Sequence, residues 1–202
     1  MKLIQEHGVP RYGRFDTPPS EFNLLDYKNN FIHHPVTRKL RYKKFSFIGI
    51  QHQHYTLGLA IADLAWVGHG FYYVYDRQTR STSVDYHALQ PLAHQTQVQE
   101  CSIKGQFNYF RHAAIEIYSK DTTRQRIVDI RHHGETLAQI KISKPKDNQP
   151  LYLCSPTGIR GWTFTHKSMC LPVQGYFIQN QQRIDFDETT LISPNKSREN
   201  EK

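Results

Sequence analysis

From Arg41 to Asp187 the chain is a succession of short runs in which aromatic, β-branched and aliphatic residues alternate with polar or small ones. The runs are YKKFSFIGI, YTLGLAIADLAWV, GFYYVYD, GQFNYFRHAAIEIYS, QRIVDIRHH, TLAQIKIS, PLYLCSP, GWTFTHK, GYFIQN and QRIDFD. Strand side chains change face with a period of two, whereas a helix repeats its apolar face every three or four residues. Phe45, Phe47 and Gly49 share one face of their run, and Ile48 and Ile50 share the other. Phe71, Tyr73 and Tyr75 share a face, and Leu137, Gln139 and Lys141 oppose Ala138, Ile140 and Ile142. Only LGLAIADLAW also suits a buried helix, because Ala and Leu favour that state. Its alternation of Leu57, Leu59 and Ile61 with Gly58, Ala60 and Ala62 makes it a strand. The pattern predicts an all-β, antiparallel barrel or sandwich of about ten strands.

Residues 1–40 read as an irregular arm, since GVPRYGRFDTPPSEFN carries Pro10, Pro18 and Pro19 with Gly8 and Gly13. Residues 41–187 form the β domain, and 188–202 read as a disordered polar tail ending in NKSRENEK. A chain of 202 residues suits one domain that buries roughly 70% of its unfolded surface without a disulfide or zinc. Hydrophobic residues make up only 38% and the mean hydropathy is −0.67, so the 12% of aromatic residues must supply much of the core. Cys101, Cys154 and Cys170 are odd in number and widely spaced, which predicts reduced thiols in a reducing compartment. No apolar run has the length of a signal peptide or a spanning helix, so a cytoplasmic protein is expected.

The formal charge of +8 divides as +5 over residues 1–44, −1 over 45–119 and +4 over 120–202. Its densest point is TRKLRYKKF, where Arg38, Lys39, Arg41, Lys43 and Lys44 offer phosphate contacts and Tyr42 and Phe45 offer rings for stacking. Lysines guarding a strand edge account for the same cluster.

Twelve histidines make chance pairs common. His52 and His54 have the spacing of two ligands on one strand face, with His69, His132 or His133 as a third. No carboxylate lies beside the pair, however, and QHQHY is the most polar break between two apolar runs, so a hairpin turn is the favoured reading. Gly68-His69-Gly70 reads as a second turn, joining LAWV to FYYVY. His132 and His133 precede Gly134 and read as a third. Asp63, inside LAIADLAWV, is the weak catalytic candidate: buried on a strand, it needs an Arg or Tyr donor or a raised pKa. In GWTFTHK, Thr163, Thr165 and Lys167 form a polar outer side opposite Trp162, Phe164 and His166. Neither a G-x-S-x-G elbow, a phosphate loop nor a G-x-G-x-x-G fingerprint occurs, so no cofactor is expected.

The order of several short motifs resembles a mainly bacterial family, domain of unknown function 2804. These are Gly8, Pro10 and Gly13; Asn23 and Asp26; K-x-R-x-K-K-F; the strands around Ala60–Trp66; G-x-G-F-x-Y-V from Gly68; Thr165 and Lys167; and Pro172-Val173-x-Gly175. Phe45 stands where the family usually has Trp. The family is similar to lipocalin-related and carotenoid hydratase-like proteins, which implies paired barrel-like halves. Its members continue into a further β-rich half, so the resemblance is to their N-terminal portion. A sheet edge or apolar face is then expected to be left for a second copy or a partner chain to cover.

Three functions remain open. The leading one is binding of an apolar or amphipathic small molecule, without catalysis, in a cavity lined by Trp66, Phe71, Tyr73, Tyr75, Trp162, Thr165 and Lys167. The second is binding of a nucleic acid or acidic partner by the basic segment. The third, by family analogy, is a hydratase or isomerase using Asp63 or a histidine as acid–base group.

Overall fold

The structure is a computed structural model that describes residues 1–28, 36, 40–99, 107–158 and 161–186, and the backbone of 191–193. Arg38, Lys39, Cys101 and the tail from 194 onward lie outside the described residues.

In chain order the strands are β1 (Gly13–Phe15), β2 (Lys44–Gln51), β3 (Tyr55–Asp63), β4 (Val67–Asp76) and β5 (Ser81–Pro91). Then follow β6 (Thr96–Gln97), β7 (Phe107–His112), β8 (Ile115–Asp121), β9 (Gln125–His132) and β10 (Glu135–Ser143). Last come β11 (Leu151–Thr157), β12 (Gly161–Lys167), β13 (Val173–Gln179), β14 (Gln182–Asp185) and β15 (Leu191–Ser193). All pair antiparallel, in a five-stranded sheet β15-β2-β3-β4-β5, a seven-stranded sheet β14-β13-β10-β9-β8-β7-β6 and a three-stranded sheet β1-β11-β12.

The two larger sheets form a sandwich, and no barrel closes among the described residues. Between them lie Ile48, Ile50, Leu57, Leu59, Ile61, Tyr72 and Val74 from one side. Phe110, Ile117, Val128, Ile130, Ile140, Ile142 and Phe177 meet them from the other. The contacts fix how the sheets cross. On β2, Ser46 reaches Asn108 of β7, while His52, just past its end, meets the Phe177 ring of β13 at 6.3 Å. β7 and β13 stand four positions apart in their sheet. Six residues of strand cover roughly 20 Å, and four interstrand spacings roughly 19 Å. β2 therefore runs across the strands beneath it, as in an orthogonal sandwich.

The sheets join where β5 turns back into β6. Gln90, fully buried, donates from Nε2 to the Arg111 carbonyl at 2.6 Å. Its Oε1 accepts from the Gln95 amide at 2.7 Å and the Thr96 hydroxyl at 2.9 Å.

Several sequence readings need correction here. Gly68-His69-Gly70 is no turn: it lies within β4, and the turn is Leu64–Trp66, where Ala65 has φ 68°. The glycines serve close approach instead. A Cβ on Gly70 would fall 2.2 Å from the Phe110 ring, and one on Gly68 would fall 1.9 Å from Thr96 Oγ1. GQFNYFRHAAIEIYS is two strands, β7 and β8, reversed at Ala113, where φ is 50°. β5 is not among the apolar runs because its polar edge sequence, STSVDYHALQP, breaks the apolar rhythm. Among the described residues there are fifteen strands, where the pattern predicts about ten. QHQHY does connect β2 to β3, and His133-Gly134 does connect β9 to β10, with φ of 51° and 82°.

The first residues are irregular but packed. β1 pairs with β11, and Leu3, Ile4, Phe15, Tyr152 and Cys154 make a second core. Asn23 brackets the Ile4 peptide like a strand neighbour, with Oδ1 accepting from its N–H and Nδ2 donating to its C=O, both at 2.9 Å. On β12 the polar side is covered as well as the aromatic side, since Thr163 and Thr165 are both buried. Cys154 is buried and Cys170 exposed, and neither is in a disulfide.

Two substitutions test this architecture by denaturant unfolding. Gly70→Ala overpacks the Phe110 contact and is expected to cost about 1–3 kcal/mol. Gln90→Leu keeps the volume but strands a carbonyl, an amide and a hydroxyl, with an expected loss of about 2–4 kcal/mol. An unchanged midpoint for either would remove that contact from the account.

Candidate functional site

Because β4 alternates, its odd and even residues serve opposite sides. Tyr72 and Val74 enter the core, while His69, Phe71, Tyr73 and Tyr75 lie half-buried on the outer face of the five-stranded sheet. Cross-strand pairing sets Phe71 beside Ala60 of β3 and, through it, beside Phe47 of β2. The rings run in series: Phe45–Phe47 at 6.3 Å, Phe47–Phe71 at 6.4 Å and Phe71–Tyr73 at 6.2 Å, with His69 5.5 Å from Phe71. The small residues beneath make this layer possible. A Cβ on Gly58 would come 2.2 Å from the Tyr73 ring, so Tyr73 lies over bare backbone.

At one end the layer gives way to exposed aliphatic surface. Leu89 pairs with His69, and Pro91 with Val67. The Leu92 amide then donates to the Trp66 carbonyl at 2.7 Å. Trp66, Leu89 and Leu92 are 58%, 60% and 69% exposed. Large apolar side chains grouped this way mark an interaction surface more often than chance.

The residues expected to line one cavity therefore divide between two places. Phe71, Tyr73 and Tyr75 share the outer face, with Trp66 at its end. Trp162, Thr165 and Lys167 belong to β12 in the three-stranded sheet, where the Trp162 ring meets Tyr27 and Tyr42, each at 6.1 Å. Asp63 ends β3 half-buried, and its Oδ1 accepts from the Ala65 amide at 2.9 Å, closing the turn into β4. The Arg or Tyr donor expected for it is thus replaced by backbone. His52 is buried and stacks on Tyr55 at 5.6 Å, and its Nδ1 accepts from the His54 amide at 3.3 Å. His132 stacks on Tyr86 at 4.1 Å. Among the described residues no three His, Cys, Asp or Glu side chains are grouped closely enough to hold a metal ion. Of the basic segment, Arg41 is exposed, and Lys43 and Lys44 are half-buried. Tyr42 donates to the Leu24 carbonyl at 2.9 Å, and Phe45 stacks on Phe47, so both rings are packed within the fold.

Sequence reading missed one polar cluster. Asp121, at the end of β8, is buried, and its carboxylate accepts from Arg126 Nε at 2.8 Å and from the Lys144 ammonium. Burial alone would raise the Asp121 carboxyl, but Arg126 and Lys144 outweigh it and hold it below the ordinary 3.8. His166 of β12, stacked on Tyr152 at 4.7 Å, is lowered from 6.5 to about 4, first by burial and then by the same two cations. The signal available beforehand was an Asp and an Arg five residues apart across the β8–β9 hairpin.

Both shifts act in one direction. Between pH 6.5 and about 4 the unfolded chain binds a proton on His166 that the native protein does not, so stability falls as pH falls. Below 3.8 the Asp121 contribution is lost as well. His166→Gln should flatten the upper part of this decline, which amounts to about 3 kcal/mol at most. Urea midpoints at pH 7, 5 and 4 would check it, and an undiminished slope in the variant would assign the decline elsewhere.

No helix among the described residues is long and apolar enough to cross a membrane. Comparison with curated proteins and with solved structures finds no match to the chain. One protein family does match, over residues 4–193. The chain thus belongs to the family described as Domain of unknown function (DUF2804).

Proposed function

We propose that this protein is a binding module without chemistry of its own, which takes an apolar or amphipathic small molecule on the outer face of its five-stranded sheet. The observation that carries the reading is the exposure of Trp66, Leu89 and Leu92 at the end of the ring series His69, Phe71 and Tyr73. An apolar ligand laid along β4 gains contact with stacked rings that are already ordered, so little side-chain entropy is lost on binding. Polar ends of the ligand meet His87 and Asp85, which pair across from Phe71 and Tyr73. The expected cavity is thus replaced by a face.

Native mass spectrometry of protein freshly purified from its source, followed by titration with a panel of lipids and pigments, tests the reading. Trp66→Ser with Leu92→Ser should weaken binding by about tenfold or more, with the far-ultraviolet spectrum unchanged. The reading fails if the wild type retains and binds none of the panel, or if the double variant binds as the wild type does.

A further inference from the structure

We propose that two copies of this chain associate by antiparallel pairing of their β5 strands, in a register centred on Tyr86. β5 ends the five-stranded sheet, and among the described residues no strand or backbone group pairs with it on the side away from β4. An open edge of this kind is a template for another strand, and folds usually guard it with lysine, proline or a bulge. β5 contains neither lysine nor arginine, and its proline is its last residue. Its bulge is confined to Ser83, which falls between the pairs Val74–Val84 and Tyr75–Thr82 and donates to the Val74 carbonyl. The regular stretch without lysine, proline or bulge is therefore Val84–Ala88.

The side chains of that stretch are those of an incomplete core. Val84, Tyr86 and Ala88 pack on the sandwich interior yet stay half-exposed, although they sit in the middle of the strand. A second strand alongside would cover them.

Side-chain complementarity selects the register. Directly opposed residues on paired strands point to the same face, so a two-fold antiparallel pair must be centred on a residue. Centring on Asp85 would set two carboxylates opposite each other, and centring on His87 would oppose two imidazoles. Centring on Tyr86 places Asp85 opposite His87 of the second copy, twice. Within one chain Asp85 and His87 already lie 3.9 Å apart, both more than 60% exposed. The pair of copies would therefore join two such couples into a ring of alternating partners.

The inference does not depend on ligand binding. Paired copies would, however, place their two ring-covered faces side by side on one continuous sheet. Sedimentation of the full chain from low to high micromolar concentration tests the association. Dimerisation is expected, and a monomer throughout would overturn it. His87→Asp should weaken association by about tenfold or more, while His87→Asp combined with Asp85→Lys should restore it. Association unaffected by the single substitution, or not restored by the double one, would overturn the register. Hydrogen exchange gives a readout without substitution: alternate amides within Val84–Ala88 should gain protection as concentration rises, and constant protection counts against the edge. Loss of ligand binding in the Trp66 and Leu92 variant leaves these outcomes unmoved, since neither residue lies in β5.

Discussion

Everything about the sandwich depends on one corner, and the Gln90 side chain closes it. Two sheets that cross steeply can share a core only if the chain passes from one to the other without leaving backbone groups unpaired. Between Pro91 and Thr96 the chain makes that passage in a few residues, with Leu92 and Ala93 at φ of 60° and 49°. A buried amide there is unusual, but this one is satisfied at both ends by Arg111, Gln95 and Thr96. It acts in place of a ladder hydrogen bond at the point where the ladder changes sheet. The cost of burying its polar atoms is offset because each replaces a contact with water.

The corner also explains the glycines of β4. With Gln90 pulling β5 down onto β6 and β7, the neighbouring strand comes within van der Waals range of the second sheet. Gly68 and Gly70 are the positions where β4 passes Thr96 and Phe110. A side chain at either would lift the sheet and open the joint. The same strand carries large residues on its other side, where Tyr73 lies over Gly58 and Phe71 stands beside Ala60. One strand thus alternates between absent and bulky side chains for two different reasons, and its sequence, VGHGFYYVYD, carries both.

The strands were legible wherever both faces are at least half-covered, since alternation then has apolar residues to display. Ile48 and Ile50 against Phe45 and Phe47, and Ala138, Ile140 and Ile142 against Gln139 and Lys141, appear in the structure as the spacing indicates. Family membership was legible from short motifs as well. Legibility failed where a residue type has two physical uses. Glycine flanking His69 signals a turn in most sequences, yet here it signals close packing, and only the partner Phe110, forty residues away, distinguishes the cases. β5 failed for the opposite reason: an edge strand with solvent beside it has no need of the apolar rhythm that announces a strand. The exposed apolar patch was half-legible for the same cause, with Trp66 and Phe71 evident, Leu89 hidden in β5 and Leu92 just past its end.

The buried polar cluster and the outer face divide the chemistry of the molecule. Asp121 could have served as an acid–base group only if its carboxyl were free to change protonation near neutrality. Two cations beside it instead hold it ionised, and the same cations, with burial, keep His166 neutral. Asp121 ties the β8–β9 hairpin to the segment after β10, with His166 of β12 close to the same two cations. The outer face of the five-stranded sheet instead presents rings and aliphatic side chains, with Asp85 and His87 exposed beside them. In the proposed binding, the apolar part of the ligand is selected by contact area and its polar ends by Asp85 and His87. The proposed ligand is accordingly defined by how well an apolar length matches the run from Tyr73 to Trp66.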